Sequence, residues 1–545
     1  MRKLTLLSIV FSLLSLSIFS QNSAREKGLQ AINEEAIKAQ LEFLSSDWME
    51  GRATGEKGAF LAADYLASML QFMNISPAGD QETTNPSREQ YFMGIRPEQY
   101  TSYFQNIYMT KLLESNTSLS LTDRQNNKTI TFNDQTDFYV NTIPYNTSFS
   151  AEAVFVGYGF VDQENNYDDF KGVDVKNKII IRLSGYPGHN HVNSKAYKKF
   201  HVNNRYFKYY LNRNKNKIAL EKGAIGVIEV PEEDFTRYMA TEQDFKQTSR
   251  NKQPTAKIYE HRLILPSDTI KDELLEIYVT PQIITRLLEN SNINLHEFQE
   301  NVARDLKPAS RKIKGVKLTI NHQVKKEIIQ TRNVLGVIEG ENKDEIIVIG
   351  AHYDHLGAND GFVWNGADDN ASGTIGVWML AKAFAEAGVK PKRSIVFAAW
   401  TGEERGLLGS KYFAGHPYGG SIEKIKLNIN FDMISKDSAN DTLKNQARMV
   451  YTSSFPAFES MTQRHLKEQG LNLDINYRPA EKPRGGSDHS SFSAKNIPVM
   501  YFMAGFPVTY HTPKDRTHDV NWKKMTNIIK LTYLNAWELA NSEQW

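Results

Sequence analysis

Five short segments of this 545-residue chain carry side chains able to do chemistry. They are His352-Tyr353-Asp354-His355, Asp368-Asp369 within Gly366 to Gly373, Glu403-Glu404, Asp432, and Tyr510-His511. Imidazole and carboxylate are ligand types for Zn²⁺, and a carboxylate has two oxygens with which to bridge two ions. Calcium would ask for an all-oxygen shell, which the histidines argue against. Taken singly, each segment has a plain structural reading: His352 as a surface histidine, Asp368 to Ser372 as turn and helix-cap chemistry, Glu403-Glu404 as a solvated pair. Their joint placement favours chemistry, because each cluster follows shortly after an apolar run or leads into a helix. Competing signatures are missing: there is no His-Glu-x-x-His, no Gly-x-x-x-x-Gly-Lys-Ser/Thr and no Gly-x-Ser-x-Gly. Ser487-Asp488-His489 has the residue types of a serine triad, but three consecutive residues do not normally present that geometry.

The elements that must position these clusters are apolar strands alternating with helices. Asn333 to Ile338, Ile346 to Gly350, Ile395 to Trp400, Leu427 to Phe431 and Val499 to Phe502 read as strands, with helices over Thr374 to Ala387 and from about Trp522 to Ala540. Such alternation predicts an α/β fold with a mostly parallel sheet and helices on both faces, which places chemistry at the carboxyl ends of its strands. Upstream, a helix ending near Leu44, another over Phe60 to Met73 and a strand over Tyr103 to Met109 are expected. The polar, Asn/Thr-rich stretch from Asn116 to Asp137 reads as a crossing between domains.

Residues 125–326 look unlike their flanks, with short β-rich runs among turns and a basic stretch from Lys198 to Lys217, which reads as a solvated face or loop. This segment is expected to be a domain inserted between 21–124 and 327–545. Arg2 and Lys3, an apolar run from Leu4 to Phe19 and small Ser20 read as a signal peptide over 1–20. The run is shorter than the roughly 20 apolar residues of a spanning helix and carries four serines, so cleavage, export to the periplasm or medium, and no membrane span afterwards are expected. With 65 Lys+Arg against 63 Asp+Glu, nothing points to nucleic acid as a partner. The chain has no cysteine, so no disulfide contributes to its stability. The sequence does not speak to oligomeric state.

His352-Tyr353-Asp354, Gly366 to Gly373, Gly402 to Ser410, Asp432-Met433 and Tyr510-His511-Thr512, in this order, resemble the motifs of the secreted double-zinc aminopeptidase family, which also includes glutamate carboxypeptidase and glutaminyl cyclase. The inserted segment resembles a protease-associated (PA) domain at Val156 to Gly159, Tyr167 to Asp174 and Gly223-Ala224. The resemblance implies two Zn²⁺ ions: His352 and Asp432 on one, Glu404 and His511 on the other, and Asp369 bridging both. It implies a cis bond after Asp369, Asp354 orienting His352, and Tyr510 donating to a developing oxyanion. Neighbours on an extended segment point opposite ways, so Glu404 would chelate while Glu403 faces the cavity as general base. A peptide substrate, cleaved at its N terminus, follows; a carboxypeptidase or cyclase on the same motifs and a metal-free binding module are the rivals. His518, in a loop longer than the usual Asp-Thr turn, reads as a loop residue.

Overall fold

The computed structural model describes residues 23–124, 127–134, 136–141, 143–203, 207–230, 261–269, 273–288 and 291–543. The expected signal peptide, 1–20, lies outside the described residues. One compact unit takes the described residues of Met1–Met109, Gln253–Leu265 and Ile328–Trp545, and a second those of Thr110–Lys252 and Pro266–Glu327. The sequence placed an insertion at 125–326.

In the first unit, after a helical stretch over 23–31, comes helix α1 (Glu34–Leu44), started by Asn33, whose side chain accepts from the Ala36 N–H at 2.8 Å. Ile37, Leu41 and Leu44 recur at helical spacing and form its buried stripe. Helix α2 (Lys57–Phe72) and strand β1 (Phe104–Asp123) follow, the strand passing into the second unit's residues at Thr110. The chain returns through β2 (Val316–Ile338), which enters the first unit at Ile328, then β3 (Asn342–His352), helix α3 (Gly373–Ala387), β4 (Arg393–Trp400), α4 (Leu408–Gly415) and β5 (Ile425–Phe431). It ends with β6 (Gln446–Thr452), α5 (Ala457–Gln469), β7 (Asp474–Ala480), β8 (Val499–Met503) and α6 (Trp522–Asn541).

Strand order is β1-β2-β4-β3-β5-β8-β6-β7. The inner strands β4, β3, β5 and β8 run parallel, as their continuous apolar runs predict for strands covered on both faces. Ile347 and Ile349 of β3 pack in one core cluster with residues of α1, α2, α3 and α6; Ile346 and Val348 pack in another with Phe413 and Phe492. Helix α3 is apolar almost all round and correspondingly buried, with the Trp378 indole donating to the Leu66 carbonyl at 2.9 Å.

The sheet is more mixed than expected, since β2 meets β4 and β6 meets β8 antiparallel. Strands β6 and β7 were not foreseen because they alternate buried and polar positions rather than forming apolar runs. Nor is Asn116 to Asp137 a plain crossing: β1 continues to Asp123 and pairs antiparallel with Lys128–Phe132. Leu119 and Leu121 are buried there, a period-two signal hidden by the Asn/Thr-rich composition.

The second unit has its own six-stranded sheet, in which Ala153–Phe155, Ile179–Leu183, Gly226–Val230 and Glu276–Val279 are parallel. At its Gly157 to Gly159 turn, both glycines have positive φ and the chain wraps the Asp169 carboxylate, which accepts from the Tyr158 and Phe160 N–H groups at 3.0 Å and the Tyr167 hydroxyl at 2.7 Å. Part of the basic stretch is helical, over Phe207–Glu221, and Lys215 is buried rather than solvated. Its ammonium donates to the Leu183 and Gly185 carbonyls at 3.1 Å and lies 3.7 Å from Glu229.

Candidate metal centre

His352 closes β3, Glu403 and Glu404 follow β4, and Asp432 follows β5, so three neighbouring parallel strands deliver them to one edge. Asp369 comes from the turn before α3, and its bond to Asn370 is cis. The Asn370 amide donates to the Phe431 carbonyl at 3.0 Å and its oxygen accepts from Met433 N–H at 3.2 Å, tying the Asp369 turn to the Asp432 loop.

Asp369 stands between two imidazoles. Its Oδ1 lies 3.4 Å from His352 Nε2, and its Oδ2 lies 3.0 Å from His511 Nε2. His352 Nε2 is also 3.4 Å from Asp432 Oδ1, and His511 Nε2 is 3.4 Å from Glu404 Oε2. All five sequence-predicted ligand residues therefore meet. Two residue sets have donor atoms close enough to share an ion: His352, Asp369 and Asp432, and His355, Asp369 and Glu404. His352 Nε2 and Asp432 Oδ1 are buried and hydrogen-bonded to no described residue. Buried imidazole and carboxylate lone pairs facing one another need a cation or a proton between them, so the donor set fits a metal.

The supporting contacts differ in part from expectation. His352 Nδ1 meets the Asp354 main-chain oxygen at 3.1 Å, whereas the Asp354 carboxylate is 3.9 Å away. That carboxylate instead accepts from Thr54 Oγ1 at 2.8 Å and the Glu403 N–H at 3.1 Å, so it fixes the Glu403 loop. Asp368 points away from the imidazoles and accepts from Ser435 N–H and Oγ and from Lys436 N–H at 2.7 to 3.0 Å. The Ser487-Asp488-His489 residues make no relay: Ser487 accepts from Asn430 at 2.8 Å and His489 stacks on Tyr501. His518 is exposed and stands in a single 3-10 turn over Thr517–Asp519 rather than in a plain loop.

Three residues at the centre have no role in the sequence reading, although His355 stands in one of its clusters. His355 sits in the second donor set and is fully buried. Arg52, also fully buried, donates to the carbonyls of Tyr353, Leu44, Asn365 and Gly366 at 2.7 to 2.9 Å, joining the β3 loop to the turn that leads to Asp369. Asp515 accepts from the Asp368 and Asp369 N–H groups at 3.1 to 3.2 Å and pairs with Lys436 at 2.9 Å. A His-x-x-His spacing signals His355; nothing local signals the other two.

Burial pushes Glu403 well above the usual carboxylate range against the pull of His352, with Asp488, Glu404 and Asp432 adding to the rise. Burial would raise Glu404 too, but hydrogen bonds to His355 and His511 outweigh it and hold that group well below its ordinary value. Glu403 Oε2 is 3.9 Å from His352 Nε2. Tyr510 stacks on His511 with centroids 3.8 Å apart and is 37% exposed.

An α/β domain with a buried imidazole and carboxylate centre at its strand ends is of the kind that binds metal ions. Residues 333–535 match the model of peptidase family M28. Among curated relatives, leucine aminopeptidase 2 of Arthroderma otae is 31% identical over 197 residues, covering 35% of this chain and 37% of the relative. Aminopeptidase YwaD of Bacillus subtilis is 27% identical over 229 residues, covering 39% and 46%. The chain thus spans well under two thirds of the length of these relatives. In overall fold it is similar to an aminopeptidase from Aneurinibacillus sp. strain AM-1, at TM-score 0.52 and 18% identity over 95% of this chain and 97% of the other.

Proposed function

We propose that the protein is an exported two-zinc exopeptidase that removes residues from free peptide N termini. The observation that carries this is Asp369 set between two imidazole and carboxylate pairs, with Glu403 beside one of them. His352 and Asp432 would hold one ion and Glu404 and His511 the other, with Asp369 shared. The bound ions would supply Lewis acidity, lowering the pKa of water and polarising the scissile carbonyl. Glu403, its proton affinity raised by burial, takes the proton from the attacking water and passes it to the leaving amine. The Tyr510 hydroxyl donates to the oxyanion as it develops.

Direction of cleavage follows from charge. Glu403, Asp432 and the buried Asp488 suit an ammonium group, and a blocked N terminus would leave them without a partner. Phe506 and Val508 are exposed near Tyr510, which suits an apolar side chain; the Arthroderma and Bacillus relatives carry aminopeptidase names. The second unit would be a PA-like module, and the mature chain would begin near Gln21.

The test compares one peptide in free, N-acetylated and C-amidated forms, with and without chelator. Acetylation and chelation should each abolish hydrolysis, and amidation should matter little. Cleavage of the acetylated peptide from its C terminus would transfer the reading to a carboxypeptidase. Ring closure of an N-terminal glutamine without chain cleavage would transfer it to a cyclase.

A further inference from the structure

Three imidazoles, rather than two, face the shared carboxylates. His355 is held on both sides. Its N–H donates to the Arg52 carbonyl at 3.1 Å, and a Cβ at Gly366 would come within 2.5 Å of its Cδ2, so the ring occupies space that only glycine leaves there. Nδ1 is thereby set 2.8 Å from Glu404 Oε1 and 3.9 Å from Asp369 Oδ2. His511 Nε2 addresses the same two carboxylates, at 3.4 and 3.0 Å, with the two rings edge-on and their centroids 5.8 Å apart. Donors around a tetrahedral zinc with bonds of about 2.0 to 2.2 Å stand roughly 3.3 to 3.6 Å from one another. The His511 distances lie near that separation, and those of His355 fall on either side of it, the shorter being a hydrogen bond to the other Glu404 oxygen.

We propose that His355, through Nδ1, is a protein ligand of the ion held by Glu404 and His511. That ion then has four protein donors, His355, His511, Glu404 and Asp369, whereas its neighbour has three, His352, Asp432 and Asp369. A four-donor zinc site is closed and a three-donor site keeps an open position. The open position belongs to the His352 ion, on the side where Glu403 Oε2 stands 3.9 Å from His352 Nε2. A histidine serving only to orient Glu404 needs one contact with that carboxylate, yet Nδ1 fronts Asp369 as well. Nε2 has no described hydrogen-bond partner in either role and does not distinguish them.

This inference rests on the two-ion reading, and the test separates the two. The zinc-loaded full-length chain is analysed for metal content, and its imidazoles are counted by zinc X-ray absorption. The expected result is two zinc ions sharing three imidazoles. His355→Gln should lower the count to two, keep the His352 ion, and weaken the second ion by at least the ~10- to 100-fold that loss of a mere supporting contact costs. The wild-type count stands even if the variant fails to fold. Two zinc ions sharing two imidazoles would overturn the ligand assignment and leave the two-ion reading intact; fewer than two ions per chain would overturn both.

Discussion

Glu403 and Glu404 are adjacent, yet one is pushed well above its ordinary pKa and the other held well below it. Substitution should separate them. Glu403→Gln should keep both ions and lose turnover by ~10² to 10⁴-fold, the usual contribution of a positioned proton carrier, while Glu404→Gln should lose affinity for one ion. Metal analysis beside single-turnover rates checks this, and the opposite pattern would exchange their roles. The imidazoles give a pH dependence. Burial opposes protonation of His511 and His352, but their carboxylate neighbours outweigh it, raising His511 from 6.5 to about 10 and His352 well above its ordinary value. In the ion-free chain both carry protons at neutral pH, and an ion takes only the neutral ring, so binding must release protons and tighten as pH rises from 7 towards 10. Because these folded values are raised, the stability His511 contributes to the ion-free chain is fully present below about 6.5 and lost as pH rises through about 10. Calorimetric titration with zinc in two buffers of different ionisation heat measures the release. Equal heats in both would contradict it.

At the scale of elements, the strand ends deliver the proposed ligands and a buried arginine fixes the loops between them. Arg52 satisfies four carbonyls from one guanidinium; burial lowers its pKa to about 10, against the pull of Asp515, Asp354 and other carboxylates, so it stays charged at neutral pH. Lysine has three donors, and Arg52→Lys leaves at least one buried carbonyl unmet, at ~1 to 3 kcal/mol. Urea unfolding should show that loss and zinc titration a weakened affinity; lost stability with unchanged affinity would make Arg52 structural only. Its task explains what the sequence could not reveal. The proposed ligands were legible because each stands next to an apolar strand or in a compact motif, and the inner strands because runs such as Ile346 to Gly350 have no other simple reading. Arg52 and Asp515 act on backbone groups, Arg52 on three carbonyls 301 to 314 residues distant besides that of Leu44 and Asp515 on N–H groups 146 and 147 distant, and no local pattern encodes either. Strands β6 and β7 escaped because half their positions are polar, and Lys215 because a buried ammonium looks, in sequence, like any solvated lysine.

At the scale of the whole molecule, the cores are divided between two units, and the proposed metal centre lies in one. The first unit's cores gather Ile347, Phe397, Trp378 and Ile529 on one face of its sheet and Val348, Phe413 and Phe492 on the other. The second unit's cores gather Phe155, Ile181, Ile228 and Phe298, with Val154, Ile180 and Val227 opposite. Each cluster lies within its own unit, so unfolding need not be a single two-state step. All the predicted ligands, from His352 to His511, belong to the first unit. A ligand that binds only the folded state stabilises it by ~2.7 kcal/mol when free ligand is 100 times Kd, which for a domain of this size is worth several degrees in Tm. Differential scanning calorimetry of the full chain with zinc and with chelator should therefore show two transitions, of which chelation lowers one and leaves the other in place. Hydrogen exchange near the midpoint should assign the shifted transition to peptides from residues 328–543. A chelator-sensitive transition that maps instead to Thr110–Lys252 would put the stabilising metal in the wrong unit and overturn the placement of the centre.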